Sequence, residues 1–253
     1  MWYIILIILV LVLAFLFLYY QKKKMTDSGL CIFMYHQIEE KEKNSDENFL
    51  TYTNTFALQL DLIKEKGYHP VTLSEVETCY INKTKLPHHS VLLTFDDGYK
   101  NNYTDAYPLI LEKKIPIVIF VSTGEISVKE NMLTWEQVEE MKNSGLVEFS
   151  SHGVNHKRLR KCSDEEIRFE LTESKKTLEN RLKQEIKSFC YPYGAFDSRV
   201  RKLVYETGYI MDFGTRKGIN PWPWKGNRPL LRAHVMRGES LQDFESQLKT
   251  GRK

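Results

Sequence analysis

Apolar positions along the chain follow two regimes, one unbroken run and then short runs that alternate with helical stripes. Met1 to Tyr20 is drawn entirely from hydrophobic residue types, with no charge, Pro or Gly. Nineteen helical residues from Trp2 span about 28 Å, close to the ~30 Å hydrocarbon core of a bilayer. Trp2, Tyr3, Tyr19 and Tyr20 lie at its two ends, where amphipathic rings favour the interface. Residues 1–20 are therefore expected to be a transmembrane anchor and 21–29 a polar linker. A cleaved signal peptide is the competing reading, but no small-residue site follows the run. From Leu30 the pattern changes. Leu30–Tyr35, Val91–Phe95, Ile115–Val121, Val147–Ser150, Phe189–Tyr191, Tyr209–Phe213 and Leu230–Met236 read as short buried strands. Val71–Leu73 is a further, weaker one, followed by a helix from Ser74. Phe56, Leu60 and Ile63 share a helical face that Gly67 stops, and Ala106, Leu109 and Ile110 suggest another. Thr134–Gln137 and Ser163–Glu166 have capping-box spacing. The first opens a helix ended by Gly145. The second opens the longest helix, with Ile167, Leu171, Ser174, Leu178 and Leu182 on one stripe. Residues 197–207 form a last expected helix, closed by Gly208. Residues 39–48 are highly charged and read as a loop.

Strands alternating with helices imply an α/β fold with a parallel sheet and helices outside. At this length a distorted (β/α)7–8 barrel over residues 30–253 is the first expectation, and an open doubly wound sheet the second.

Composition narrows the partners. The 253 residues carry 36 Lys+Arg against 33 Asp+Glu, a formal net charge of +3. That near-neutral balance argues against a nucleic-acid partner. With 14 Tyr, 13 Phe and 4 Trp, the chain is also too aromatic for wholesale disorder. Cys31, Cys79, Cys162 and Cys190 show no C-x-x-C pair. Reduced buried thiols are expected, with two disulfides as the alternative.

The candidate chemistry sits after strands. Asp96, Asp97 and Gly98 close the Val91–Phe95 run, and a Gly turn can bring both carboxylates into one cleft. Two close carboxylates suit a division of labour between cation binding and proton transfer. His152 and His156 follow the Val147–Ser150 strand with i, i+4 spacing. On a helical turn both imidazoles would face one metal. Asp plus two His leaves coordination positions open. Tyr191-Pro-Tyr-Gly194 reads as a rigid loop. His36 ends the first strand and His234 lies in the last; each could serve as a general acid.

Thr-Phe-Asp-Asp-Gly, His-x-x-x-His and Tyr-Pro-Tyr-Gly, in that order, resemble the polysaccharide deacetylases of the NodB-homology group, carbohydrate esterase family 4. The likeness covers about residues 30–236. It includes the stretch from Tyr99 to Pro108, the Leu133–Val138 run and Ser151. Met34-Tyr-His-Gln-Ile38 looks most like the circularly permuted branch that deacetylates poly-N-acetylglucosamine, a biofilm exopolysaccharide. The resemblance implies hydrolysis of N-acetyl groups. Asp97, His152 and His156 would hold a divalent metal, zinc or another first-row ion. Asp96 would be the base, His36 the acid with His234 the alternative, and the Tyr193 N–H an oxyanion donor. Tyr191, Tyr193 and Arg232 are expected on the substrate side, and Trp135 in the core. Many members carry an Arg where this chain has Cys190. The base must then be held otherwise, by Arg228 or Arg232, or activity is weakened. Peptidoglycan or chitin oligomers are alternative substrates, and a non-catalytic sugar-binding protein is a further alternative.

The side of the membrane is contested. Lys22, Lys23 and Lys24 follow the apolar run, which would favour a cytoplasmic domain. Polymers of this class lie outside the membrane, so a cell-membrane protein with an extracytoplasmic catalytic domain is expected. No protein partner is legible.

Overall fold

The computed structural model describes residues 2, 12–13, 29–40 and 48–253. The expected anchor and linker, except residues 2, 12–13 and 29, lie outside the described residues, as do residues 41–47 of the charged loop. Among the described residues, no helix is long and apolar enough to cross a membrane.

Uninterrupted apolar runs become strands buried on both faces, as a parallel sheet covered by helices requires. In chain order they begin with Cys31–Tyr35 (β1), all five positions buried. Gln37–Glu39 (β2) and Leu50–Tyr52 (β3) form a separate two-stranded parallel sheet. Thr53–Glu65 (α1) buries Phe56, Leu60 and Ile63, the predicted stripe. His69–Pro70 (β4) precedes Leu73–Ile81 (α2). The strand expected over Val71–Leu73 is displaced because Thr72 caps α2, in a reciprocal capping box with Glu75. Ser90–Asp97 (β5) is buried throughout. A π-helical turn at Asn102–Ala106 leads into Tyr107–Lys113 (α3). Ile117–Val121 (β6), Trp135–Asn143 (α4) and Val147–Ser151 (β7) follow. Asp164–Leu182 (α5) is the longest helix, and both predicted capping boxes form. Ser188–Cys190 (β8), Ser198–Glu206 (α6), Met211–Phe213 (β9), Ala233–His234 (β10) and Leu241–Thr250 (α7) complete the order.

The main sheet runs β10-β1-β5-β6-β7-β8-β9, all parallel, with β4 beside the start of β5. It curls. Leu230 bridges Phe213 of β9, and three residues later Ala233 joins β1, so one short segment touches both ends of the path. This fits the expected (β/α) fold. It also explains why β10 has two residues where seven were expected: the segment changes partner at Arg232, whose N–H goes to the Arg216 carbonyl. α7 was not anticipated, although Ser240 caps it and Phe244 and Leu248 are spaced to share a face. Its Phe244 ring stacks on Phe33 at 4.3 Å. All four cysteines are free thiols.

At the start of α2, away from the strand ends that carry the candidate chemistry, Glu148 accepts the backbone N–H groups of Leu73 and Ser74. Beside it, Glu77 accepts the Ser188 hydroxyl at 2.6 Å. Burial, reinforced by the Glu148 charge, pushes the Glu77 carboxyl up from 4.5 to about 7 despite that hydrogen bond. The folded state thus favours neutral Glu77. The penalty is absent below about pH 4.5, grows through pH 7 and is complete above it. Because the side chain is only half-buried, screening limits the penalty to at most about 3 kcal/mol. Glu77→Gln should therefore raise the melting temperature by several degrees at pH 8 and by little at pH 4.5. An equal gain at both pH values would contradict this.

Candidate active site

Parallel strands deliver their C-terminal ends to one face, and the expected site residues meet there. β5 ends in Asp96 and Asp97. Successive strand residues point to opposite faces, so a common cleft needs a break in the backbone. Asp97 itself supplies it with φ +75°, followed by Gly98 at +87°. An Asp tolerates this region better than most residues. Gly98 is required for space too, since a Cβ there would lie 2.9 Å from Val121 Cγ1.

His152 and His156 come together by a different route from the one their spacing suggests. Residues 152–156 are not helical; Gly153 has φ +84° and His156 φ +52°. The loop places His152 Nε2 3.4 Å and His156 Nε2 3.1 Å from Asp97 Oδ1. His152 Nδ1 lies 2.8 Å from the Cys190 carbonyl oxygen. A carbonyl only accepts, so Nδ1 carries a proton and Nε2 is the nitrogen turned toward the carboxylate. Asp97 Oδ1 is buried with no hydrogen-bond partner. Two imidazole nitrogens converging on an unpartnered carboxylate oxygen are what a cation would satisfy, and the donor set fits a divalent ion. Burial opposes the Asp97 charge, but the two imidazoles hold its carboxyl well below the usual range. Burial likewise opposes a charged His156, yet contact with Asp97 raises its pKa.

Asp96 is gripped by Arg232. The guanidinium makes paired hydrogen bonds of 2.7 and 2.8 Å to the two carboxylate oxygens. It also donates to Thr94 Oγ1 at 3.0 Å and to the Gly214 carbonyl at 2.8 Å. Burial would raise the Asp96 carboxyl, but the Arg232 charge and hydrogen bonds keep it low. The Cys190 thiol donates weakly to both Asp96 oxygens at 3.7 Å and accepts from Arg232 at 3.1 Å. Arg232 is completely buried, so its expected place on the substrate side is corrected: it holds Asp96 from behind.

His36 and His234 both line the cleft, which has a volume of about 850 Å³. Burial lowers both pKa values. His234 Nε2 is engaged by the Thr215 carbonyl. His36 Nδ1 is buried without a hydrogen-bond partner, and its ring packs on Phe49 at 4.7 Å. Tyr193 also faces the cleft, half exposed, with its ring 4.5 Å from His156 and Arg158 stacked 3.8 Å from its centroid. Tyr191 does not. Its ring is fully buried and its hydroxyl donates to Asp212 at 2.9 Å, so its expected role as a sugar-facing ring is corrected. Trp135 is buried, as expected.

Glu170, on α5, was not anticipated. It is completely buried, and its carboxylate accepts the N–H groups of Val154 at 2.7 Å and Asn155 at 2.8 Å. It also accepts the Asn155 side-chain amide at 2.7 Å. All three bonds hold the loop between the two histidines. The available signal was a carboxylate three residues beyond Ile167, on the stripe that carries Leu171, Leu178 and Leu182. Glu170→Ala should weaken divalent-metal affinity about 10- to 100-fold, because the ligands lose their shared support. Titration calorimetry with zinc alone checks this; unchanged affinity would remove Glu170 from that role.

The profile of the polysaccharide deacetylase family matches residues 83–211, just over half of the chain. That span holds both aspartates, both histidines and the Tyr-Pro-Tyr-Gly loop, but not His36, Arg232 or His234. The putative polysaccharide deacetylase YxkH of Bacillus subtilis is 31% identical over 221 residues, covering 87% of this chain and 76% of its own length. The poly-β-1,6-N-acetyl-D-glucosamine N-deacetylase of Staphylococcus aureus is 28% identical over 202 residues, covering 75% of this chain and 68% of its own. The Streptococcus pyogenes deacetylase PplD, solved in complex with acetate, superimposes with a TM-score of 0.79 at 27% identity. That match covers 87% of this chain and 98% of PplD.

Proposed function

The chain belongs to the polysaccharide deacetylase family, and from that premise we propose that it hydrolyses N-acetyl groups of a poly-N-acetylglucosamine-like polymer, releasing acetate. The observation that carries this reading is one cleft holding two differently prepared carboxylates. Asp96 is locked to a guanidinium, and Asp97 faces two imidazole nitrogens. The N-deacetylase names of the Staphylococcus aureus and Escherichia coli relatives support the polymer, although the chain spans only 39% of the Escherichia coli protein.

Asp97, His152 and His156 hold the divalent ion in this proposal. When bound, the ion, zinc or another first-row metal, supplies Lewis acidity toward the attacking water and the acyl oxygen. Asp96 accepts the proton of that water, and Arg232 keeps it ionised and aimed. The Tyr193 backbone N–H donates to the oxygen on which charge develops. The amide C–N bond then breaks. His36 protonates the departing nitrogen, since its ring is free of the carbonyl contact that engages His234. Acetate and a free amine remain.

Arg232 also bears on the non-catalytic alternative. Cys190 was its support, and the Arg232 guanidinium, from the residue just before β10, reaches Asp96 instead. We further propose that residues 1–20 anchor the protein in the cell membrane with this domain outside. Protease digestion of intact cells tests that; a protected domain contradicts it. For the polymer, acetate release should be at least about tenfold faster from β-1,6-linked acetylated glucosamine oligomers than from chitin oligomers or peptidoglycan. Faster release from either of the others would reassign the substrate.

A further inference from the structure

A second cavity, of about 310 Å³, lies beyond the C-terminal ends of β8 and β9. It is lined by residues that follow β8, such as Phe196 and Ser198, and residues that follow β9, such as Gly214 and Arg216. The two spaces share a wall: Thr215 lines the cleft and Arg216 lines the cavity. Consecutive residues lie about 3.8 Å apart. Only the Thr215–Arg216 step therefore separates the two linings.

The cavity is built as a sugar site with a charge preference. Leu230 and Leu231 give an apolar floor, both buried. The Phe196 ring, backed by a stack on Tyr191 at 4.9 Å, forms one side. Gly214 keeps the space open, since a Cβ there would lie 3.3 Å from Pro229 Cβ and 3.9 Å from Phe196 Cε1. Arg216 and Arg228 stand exposed at the rim. Among the described residues neither guanidinium meets a carboxylate. Two further charged side chains, Arg201 and Asp197, line the cavity. Arg201 is bound to Asp212 at 2.7 Å, and the Asp197 carboxylate accepts the Val200 N–H at the start of α6.

Resting on the deacetylase reading, we propose that this cavity is an accessory subsite for a sugar unit bearing an anionic group, carboxylate or phosphate, on the polymer being deacetylated. Two unpaired guanidinium forks above an apolar floor suit either anion through bidentate hydrogen bonds. The charge selects the unit, while the floor and the Phe196 ring take the pyranose face.

The test uses three acetylated glucosamine oligomers of equal length: neutral, carboxylate-bearing and phosphate-bearing. The full chain should prefer one or both anionic oligomers, and the carboxylate and phosphate arms tell which. The double variant Arg216→Ala/Arg228→Ala should cut the anionic-to-neutral ratio of kcat/KM by about tenfold, mostly through KM. Arg216→Lys/Arg228→Lys should recover part of the ratio. Titration calorimetry of the same oligomers should show a salt-sensitive affinity that the alanine pair loses. An unchanged ratio and unchanged affinity would overturn the subsite. So would an equal loss on neutral and anionic oligomers. If no oligomer yielded acetate, the deacetylase reading would fail, while the calorimetry would still decide the subsite.

Discussion

Asp96→Asn is expected to lower kcat by about 10³-fold while the protein still binds one divalent metal ion. The amide cannot take a proton from water, whereas Asp97, His152 and His156 keep their atoms. The variant should also lose about 3 kcal/mol of stability, because buried Arg232 is left without its counter-charge. Folding and chemistry therefore need separating. Asp96→Asn/Arg232→Met removes both members of the buried pair and should regain most of that stability without regaining rate. Recovery of turnover in the double variant would exclude Asp96 as the base. Loss of metal in the single variant would make Asp96 a ligand instead. That outcome is worth measuring because ligand atoms of Asp96, His152 and Cys190 also lie within 4.8 Å of one another.

Arg232→Met alone should be the most damaging change to the fold among the site residues, costing about 3–5 kcal/mol. It leaves an ionised carboxylate buried with a thiol and little else. The pH dependence has a definite sign. Arg232 currently overcomes burial and depresses the Asp96 carboxyl. The stability it gives is present above the ordinary carboxylate range and is lost only as pH falls through the depressed folded value. Without the guanidinium, burial is opposed only by the more distant His152 and His36, and the carboxyl moves up. The acid limb of kcat/KM should then shift to higher pH, so the rate deficit is larger at pH 6 than at pH 8. Arg232→Lys should restore part of the limb through its charge but not the paired hydrogen bonds. A deficit of equal size at every pH would mean that Arg232 only supports the fold.

These two residues also show where a linear sequence is informative. Asp96 and Asp97 stand at the end of an apolar run with a Gly behind them, and a strand followed by a turn places them in a cleft with no further information. His152 and His156 were legible as a pair for a reason that does not hold in the fold. Their convergence depends on left-handed backbone at Gly153 and His156 and on Glu170, whose hydrogen bonds reach back 15 and 16 residues from a helix. Arg232 contacts Asp96 across 136 residues. Nothing local marks it; its only trace in the sequence is the cysteine, Cys190, at the place of the motif arginine. Tyr191 misled because an aromatic beside Pro and Gly looks like a ligand wall. The chain just after β8 instead turns its ring inward, where buried Asp212 accepts from the hydroxyl. The strands themselves were plain wherever both faces are covered, as in β5 and β6. They were misplaced where a cap or a change of partner intervened, at Thr72 and at Arg232. In both cases a tertiary or capping hydrogen bond outweighed the apolar pattern.

The most direct measurement is acetate release from an acetylated β-1,6-linked glucosamine oligomer by the full chain, with metal content determined on the same sample. The metal-free protein should be inactive, and turnover should rise in proportion to added zinc or another first-row ion until one equivalent is bound at Asp97, His152 and His156. Full turnover by protein shown to be metal-free, or one bound ion without any acetate, would contradict the account.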